Sequence, residues 1–153
     1  MISAIWGTLF AVFLAGVTML AGVQSTDGLP SRTQTYAQTQ AQSFEAYRNA
    51  CLAYVEANPG WTGSVPAASL TLPPGMPLPP GAQNLVSPSG TTRLVQVWAA
   101  LPPQSDFDIV KATGDASYGL VENAQWVSPV YGVLGAAPPG VPNGDTLSQL
   151  GTD

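Results

Sequence analysis

The chain has 153 residues, of which only 8% are charged, and a formal net charge of −5. Its only side-chain cations are Arg32, Arg48, Arg93 and Lys111, scattered along the chain, so no basic surface can neutralise a run of phosphates or grip an anionic membrane. With no histidine and one cysteine, an ordinary zinc site, Ser-His-Asp or Cys-His catalysis and an internal disulfide are all excluded.

Residues 2–23, ISAIWGTLFAVFLAGVTMLAGV, hold no charge and no proline, and their only hydroxyls are Ser3, Thr8 and Thr18. At ~1.5 Å per residue a helix of this length spans roughly 30 Å, the thickness of a bilayer's hydrocarbon core. A helical Ser or Thr is tolerable there because it can bond its own backbone. A cleaved secretory signal is the rival reading. The apolar run exceeds the roughly 7–15 residues of a signal's apolar region, and no Lys or Arg precedes it. Residues 21–23, Ala-Gly-Val, put a branched side chain where a cleavage site wants a small one. An uncleaved anchor is therefore expected, with the mature chain beginning at Met1 or Ile2. Arg32 after the helix, read literally, favours a cytoplasmic C-terminus. The surface composition, rich in Ser, Thr and Gln and poor in Lys, suits an exported domain, and the periplasm is the expected location.

Residues 24–30 read as a polar stalk broken by Gly28 and Pro30. Ser31 can cap a second helix, with Gln34 as its capping-box partner. From Arg32 to Ala57 there is no Gly or Pro, and Tyr36, Gln40, Phe44, Tyr47, Cys51, Tyr54 and Val55 recur at helical spacing. The stripe is thin up to Gln40 and strong from Phe44 onward. The stronger half is expected to pack on the domain, facing a sheet with Trp98 or Trp126 nearby. Asn58-Pro59-Gly60 stops the helix.

Beyond it, residues 69–72 (SLTL) alternate like a short strand. Residues 73–81 (PPGMPLPPG) carry five prolines and must be loop or polyproline II. Ser87-Pro88-Ser89-Gly90 signals a turn. Residues 92–99 (TRLVQVWA) form the strongest strand pattern in the chain. Ser105-Asp106-Phe107-Asp108 resembles a helix N-cap with acids in the first turn, leading a short helix to Ala112 that Gly114 ends. Residues 118–122, 125–127 and 130–134 are further short strands. Residues 138–153 read as a flexible Gly/Pro-rich tail. The expected class is α+β: a transmembrane helix (1–23), a stalk (24–30), then a periplasmic domain (31–137). In that domain an amphipathic helix packs on a small, mainly antiparallel sheet, a pilin-like layout.

Few residues carry chemistry. Asp106 and Asp108 read as helix-start residues rather than metal ligands. Cys51 lies on the apolar stripe and reads as a small buried hydrophobe rather than a reactive thiol. Trp61, Trp98 and Trp126 read as core, with indole nitrogens in need of partners. Pro74-x-x-Pro77 and Pro77-x-x-Pro80 suit either a stiff surface loop or a partner's groove. No cofactor or metal is expected.

Ala46-Tyr47-Arg48-Asn49-Ala50, Tyr54, Asn58-Pro59, Leu72-Pro73-Pro74-Gly75 and Val97-Trp98, in this order after an apolar N-terminus, resemble the PilM family. These are small inner-membrane proteins of type IVb thin-pilus systems, often encoded on conjugative plasmids. The resemblance implies a role in pilus biogenesis as an assembly or basal-body component, with other pilus-assembly proteins as partners and no catalytic residues. Prepilins carry a Gly before the processed residue and a Glu five positions into the mature helix. Here the apolar run starts at Ile2 and holds no Glu, so prepilin-type processing is not expected.

Within the anchor, Ser3, Gly7, Ala11 and Ala15 fall at four-residue steps, with Gly22 further on. Such a stripe of small residues lets a second membrane helix approach closely, whether from a copy of the chain or from the pilus machinery. Gly and Ala are also simply common in membrane helices. Three functions are therefore weighed: a membrane-anchored, non-enzymatic scaffold of pilus assembly; a pilin-like minor subunit of the fibre; and a small anchored hydrolase using Asp106, Asp108 or Asp145. The first is preferred.

Overall fold

The computed structural model describes residues 32–152. The apolar stretch 2–23, the small-residue stripe Ser3, Gly7, Ala11, Ala15 and Gly22, the stalk and the Ser31 cap lie outside the described residues. Among those described, no helix is long and apolar enough to cross a membrane. The chain divides into a unit up to Gln34 and a unit from Thr35 onward, and the second unit is described here.

Helix α1 is Arg32–Ala57, with the expected bounds. Its surface changes along its length. Tyr36 is 53% exposed, whereas Phe44, Tyr47, Cys51 and Val55 are buried. The helix ends where local chemistry requires it. The Asn58 side chain donates to the Tyr54 carbonyl (2.7 Å), and Arg93 Nη1 donates to the carbonyls of Val55 (2.8 Å) and Asn58 (3.2 Å). A guanidinium on the last carbonyls also opposes the negative end of the helix dipole.

Six strands follow: β1 Gln83–Ser89, β2 Thr92–Ala99, β3 Tyr118–Glu122, β4 Gln125–Ser128, β5 Gly132–Ala136 and β6 Thr146–Thr152. They make one sheet in the order β1-β2-β6-β3-β4-β5, with every neighbouring pair antiparallel. Helix α2, Ser105–Thr113, is closed by Gly114 at φ 69°, whose N–H donates to the Val110 carbonyl. Its N-cap is Gln104 rather than Ser105, whose hydroxyl turns back to the Pro102 carbonyl at 2.7 Å.

Both helices cover one face of the sheet. Phe44, Tyr47, Cys51 and Val55 from α1 join Ile109 and Val110 from α2 over Val86, Val95, Val97, Ala99 and Tyr118. Trp98 and Trp126 are not among them. They belong to the opposite face with Val121 and Leu147, under Ala137 and Val141. Alternation along β2 sends Val97 and Trp98 to opposite sides, which corrects the expectation of a tryptophan beside α1.

Three further expectations change. Residues 138–153 are not a flexible tail, because Thr146–Thr152 is an inner strand paired with β2 and β3. Residues 69–72 are not a strand: a 3₁₀ turn, Ala67–Ser69, leads into extended chain that joins no ladder. The Ser87-Pro88-Ser89-Gly90 signal is mostly strand, with the turn only at Gly90-Thr91. Pro88 is tolerated because β1 is an edge. Val86 exchanges hydrogen bonds with Gly63 on the side away from β2, at 2.8 and 3.0 Å. Pro88, two residues on, directs its missing N–H to that same side.

Candidate interaction surface

On an α-helix, residues three and four apart stack in rows. Ala46, Ala50, Ala53 and Ala57 make one such row along α1, and Gln42, Glu45, Asn49 and Glu56 make the row beside it. Residues 69–73 run opposite the alanine row. Between them lies a groove of about 440 Å³ lined by Gln42, Glu45, Ala46, Asn49, Ala50, Ala53, Thr71 and Pro73. It continues into a second recess of about 230 Å³ that reaches Tyr54, Ala57 and Ser69. The half-buried Glu45 carboxyl is pushed above its ordinary range by desolvation, which the nearby Arg48 charge partly offsets and the Asp115 charge reinforces.

Two polar clusters hold α1 to the sheet. Arg48 Nη1 donates to the Tyr118 hydroxyl at 2.6 Å, and Nη2 donates to Ser117 Oγ at 3.0 Å and pairs with Asp115 Oδ2 at 2.9 Å. Burial works against the Asp115 carboxylate, yet hydrogen bonds from Ser117 and the Arg48 charge hold it below the usual range. Burial pushes the Tyr118 hydroxyl up to about 12, against the pull of Arg48. In the second cluster, Asn84 Oδ1 accepts from the Val65 N–H (2.6 Å). Its Nδ2 donates to the Tyr47 hydroxyl (2.7 Å) and the Val65 carbonyl (3.0 Å). Asn84 thus ties edge strand, loop and helix together. Sequence reasoning gave no sign of it, because a lone Asn is usually a turn residue.

A family model described as PilM matches residues 10–148. The chain belongs to the PilM family. PilM is a pilus-biogenesis family. A crystal structure described as a PilM protein from Escherichia coli B7A shares the fold. It is 22% identical over 82% of this chain and 99% of that chain, with a TM-score of 0.59. A PilM crystal structure from Pseudomonas aeruginosa 2192 is 27% identical over 76% of this chain and 92% of that chain, with a TM-score of 0.43. No curated protein matches.

The residues that resemble PilM in sequence have identifiable places in this PilM chain. Tyr47 and Arg48 anchor the two polar clusters, Ala46, Asn49, Ala50 and Pro73 line the groove, and Asn58-Pro59 ends α1. The acids weighed for hydrolysis do not line the groove. Asp106 lies in α2, where burial pushes its carboxyl up and Glu122 and Asp108 are the acids it feels; Asp145 lies in the turn before β6. Among the described residues no three Cys, Asp or Glu side chains gather to hold a metal. Cys51 is fully buried, and desolvation pushes its thiol up to about 12, so it is a packing residue and not a nucleophile. Trp61 packs edge-on against Tyr54, with ring centroids 5.2 Å apart. Contrary to expectation, the indole nitrogens of Trp61, Trp98 and Trp126 are buried with no hydrogen-bond partner among the described residues. In the proline tract Pro79 is buried, while Leu78 is 46% exposed.

Proposed function

We propose that the chain is a membrane-anchored, non-enzymatic component of type IVb pilus assembly. Residues 2–23 hold it in the inner membrane, its α+β domain lies in the periplasm, and it acts by protein–protein contact with other pilus-assembly proteins. One observation carries the reading: the family match begins at residue 10, inside the apolar stretch, and ends at residue 148, inside β6. The apolar stretch from residue 10 onward and the domain thereby fall under one family match, which supports reading them as parts of one unit. The polar chemistry also favours contact over turnover. The Arg48 guanidinium is engaged by Asp115, Ser117 and Tyr118, and the one thiol is buried.

The test is affinity purification of the tagged chain from crosslinked membranes of piliated cells, with the intact mass measured on the same material. Pilus-assembly proteins should co-purify, and the mass should start at Met1 or Ile2. A mass starting near Gln24 or Thr26 refutes the anchor, and absence of pilus proteins under pilus expression refutes the scaffold role. A minor subunit of the fibre is the second reading, favoured by a long helix laid on an antiparallel sheet. Recovery of the chain in sheared pili would favour it instead.

A further inference from the structure

The wall of the groove opposite α1 is extended chain without a ladder. Leu70 has extended backbone angles (φ −89°, ψ 133°), and exposure alternates along Leu70, Thr71, Leu72 and Pro73 as on a half-buried strand. Among the described residues, the N–H groups of Thr71 and Leu72 make no hydrogen bond, nor do the carbonyls of Leu70, Thr71 and Leu72. Unpaired extended backbone beside an open groove is the arrangement to which a further strand adds. A helix cannot use it, because a helix satisfies its own backbone groups.

We propose that this groove takes an extended, cationic segment of another pilus-assembly protein, which pairs with the open backbone groups of residues 70–72 and lies over Ala46, Ala50 and Ala53. Residues 70–72 offer roughly 10 Å of open strand and α1 from Gln42 to Ala57 spans roughly 22 Å, so a segment of about five residues fits, with about three of them opposite the open backbone. The cationic character follows from the rim. Glu45 faces the groove with no hydrogen bond or ion pair among the described residues, because Arg48 is committed to Asp115. The chain's net charge of −5 acts in the same direction. A second copy cannot supply the segment. Its four side-chain cations lie in α1 (Arg32, Arg48), in α2 (Lys111) and in β2 (Arg93), which is paired on both sides.

The proposal rests on the pilus-assembly reading, and the experiment separates the two. The full chain carrying Thr71→p-benzoylphenylalanine is expressed in piliated cells lacking the native copy, and the photo-adduct is mapped by mass spectrometry. Pro139→p-benzoylphenylalanine, exposed on the opposite side of the sheet, is the control. The expected adduct from position 71 falls on one extended segment of a pilus protein that carries Lys or Arg, and the control gives none there. Ala53→Trp, which fills the groove from an exposed position, should abolish the adduct, and Glu45→Lys should lower its yield about tenfold. Urea melts of both variants confirm that the fold is retained. An adduct that falls on a helical segment, arises equally from position 139, or survives Ala53→Trp overturns the groove. If those results come with pili that depend on the chain, the assembly role stands without the groove. If cells lacking the chain are fully piliated, the assembly reading itself fails.

Discussion

Replacing Asn84 with leucine keeps the side chain's size and removes its polar atoms. Three groups then lose partners: the Val65 N–H, the Val65 carbonyl and the Tyr47 hydroxyl, with Val65 and Tyr47 both 2% exposed. Each buried orphan costs about 1–3 kcal/mol. The three together cost about 3–9 kcal/mol and burying the leucine returns about 1.5–3, which leaves a net loss centred on about 4 kcal/mol against a total stability of about 5–15. In a urea melt followed by tryptophan fluorescence, Asn84→Leu should lower the midpoint by roughly 1–2 M. Tyr47→Phe alone should cost only about 1 kcal/mol, since Asn84 Nδ2 keeps the Val65 carbonyl. In the leucine background the same change removes a hydroxyl left with only the weak Cys51 thiol as partner, and should cost less than it does in the native chain. The reasoning fails if Asn84→Leu costs under about 1 kcal/mol, or if Tyr47→Phe costs the same in both backgrounds.

Tyr47→Ala should destabilise by about 3 kcal/mol or more through lost burial and the cavity left behind, and Glu45→Ala should be nearly silent; equal urea midpoints would contradict the packing of α1. Gly119→Ala places a Cβ 2.5 Å from the Val127 carbonyl oxygen and 2.8 Å from its carbon, so β3 and β4 must part, whereas Gly135→Ala meets nothing within 4 Å. Thermal melts should show a large loss for Gly119→Ala and little for Gly135→Ala. The lowered Asp115 carboxyl contributes stability that is present above its unfolded value of about 3.9 and is lost as pH falls through its folded value. Asp115→Asn should therefore flatten the acid limb of stability against pH measured by circular dichroism. Cys51 and Tyr118, both pushed up to about 12, contribute stability that is present below their unfolded values of about 8.5 and 10 and lost as pH rises toward 12. Alkaline unfolding should soften in Cys51→Ala, and a thiol reagent at neutral pH should label Cys51 only after unfolding.

Local chemistry made some elements legible in the sequence. A run of 26 residues without Gly or Pro, ended by Asn58-Pro59-Gly60, specifies α1 from its own residues, and the branched and aromatic run in Thr92–Ala99 specifies β2. The β3–β4 hairpin was also readable, with Asn123 and Ala124 at its turn, both at positive φ. From Phe44 onward the α1 stripe identified side chains that are buried or half-buried, whereas Tyr36, earlier in it, is exposed. The stripe could not identify what lay beneath them. Period-two alternation says that Val97 and Trp98 face opposite ways, and only the tertiary structure decides which side receives the helices. The strand β6 escaped because nothing in Thr146–Thr152 separates it from a polar tail. It is a strand because β2 and β3 flank it with open ladders, and both lie far from it in sequence. The same cause hid the groove. Residues 69–72 have the alternation of a strand and α1 has a row of alanines, yet whether the two would meet, and whether that stretch would join a ladder within the chain, depended on contacts that no local pattern encodes.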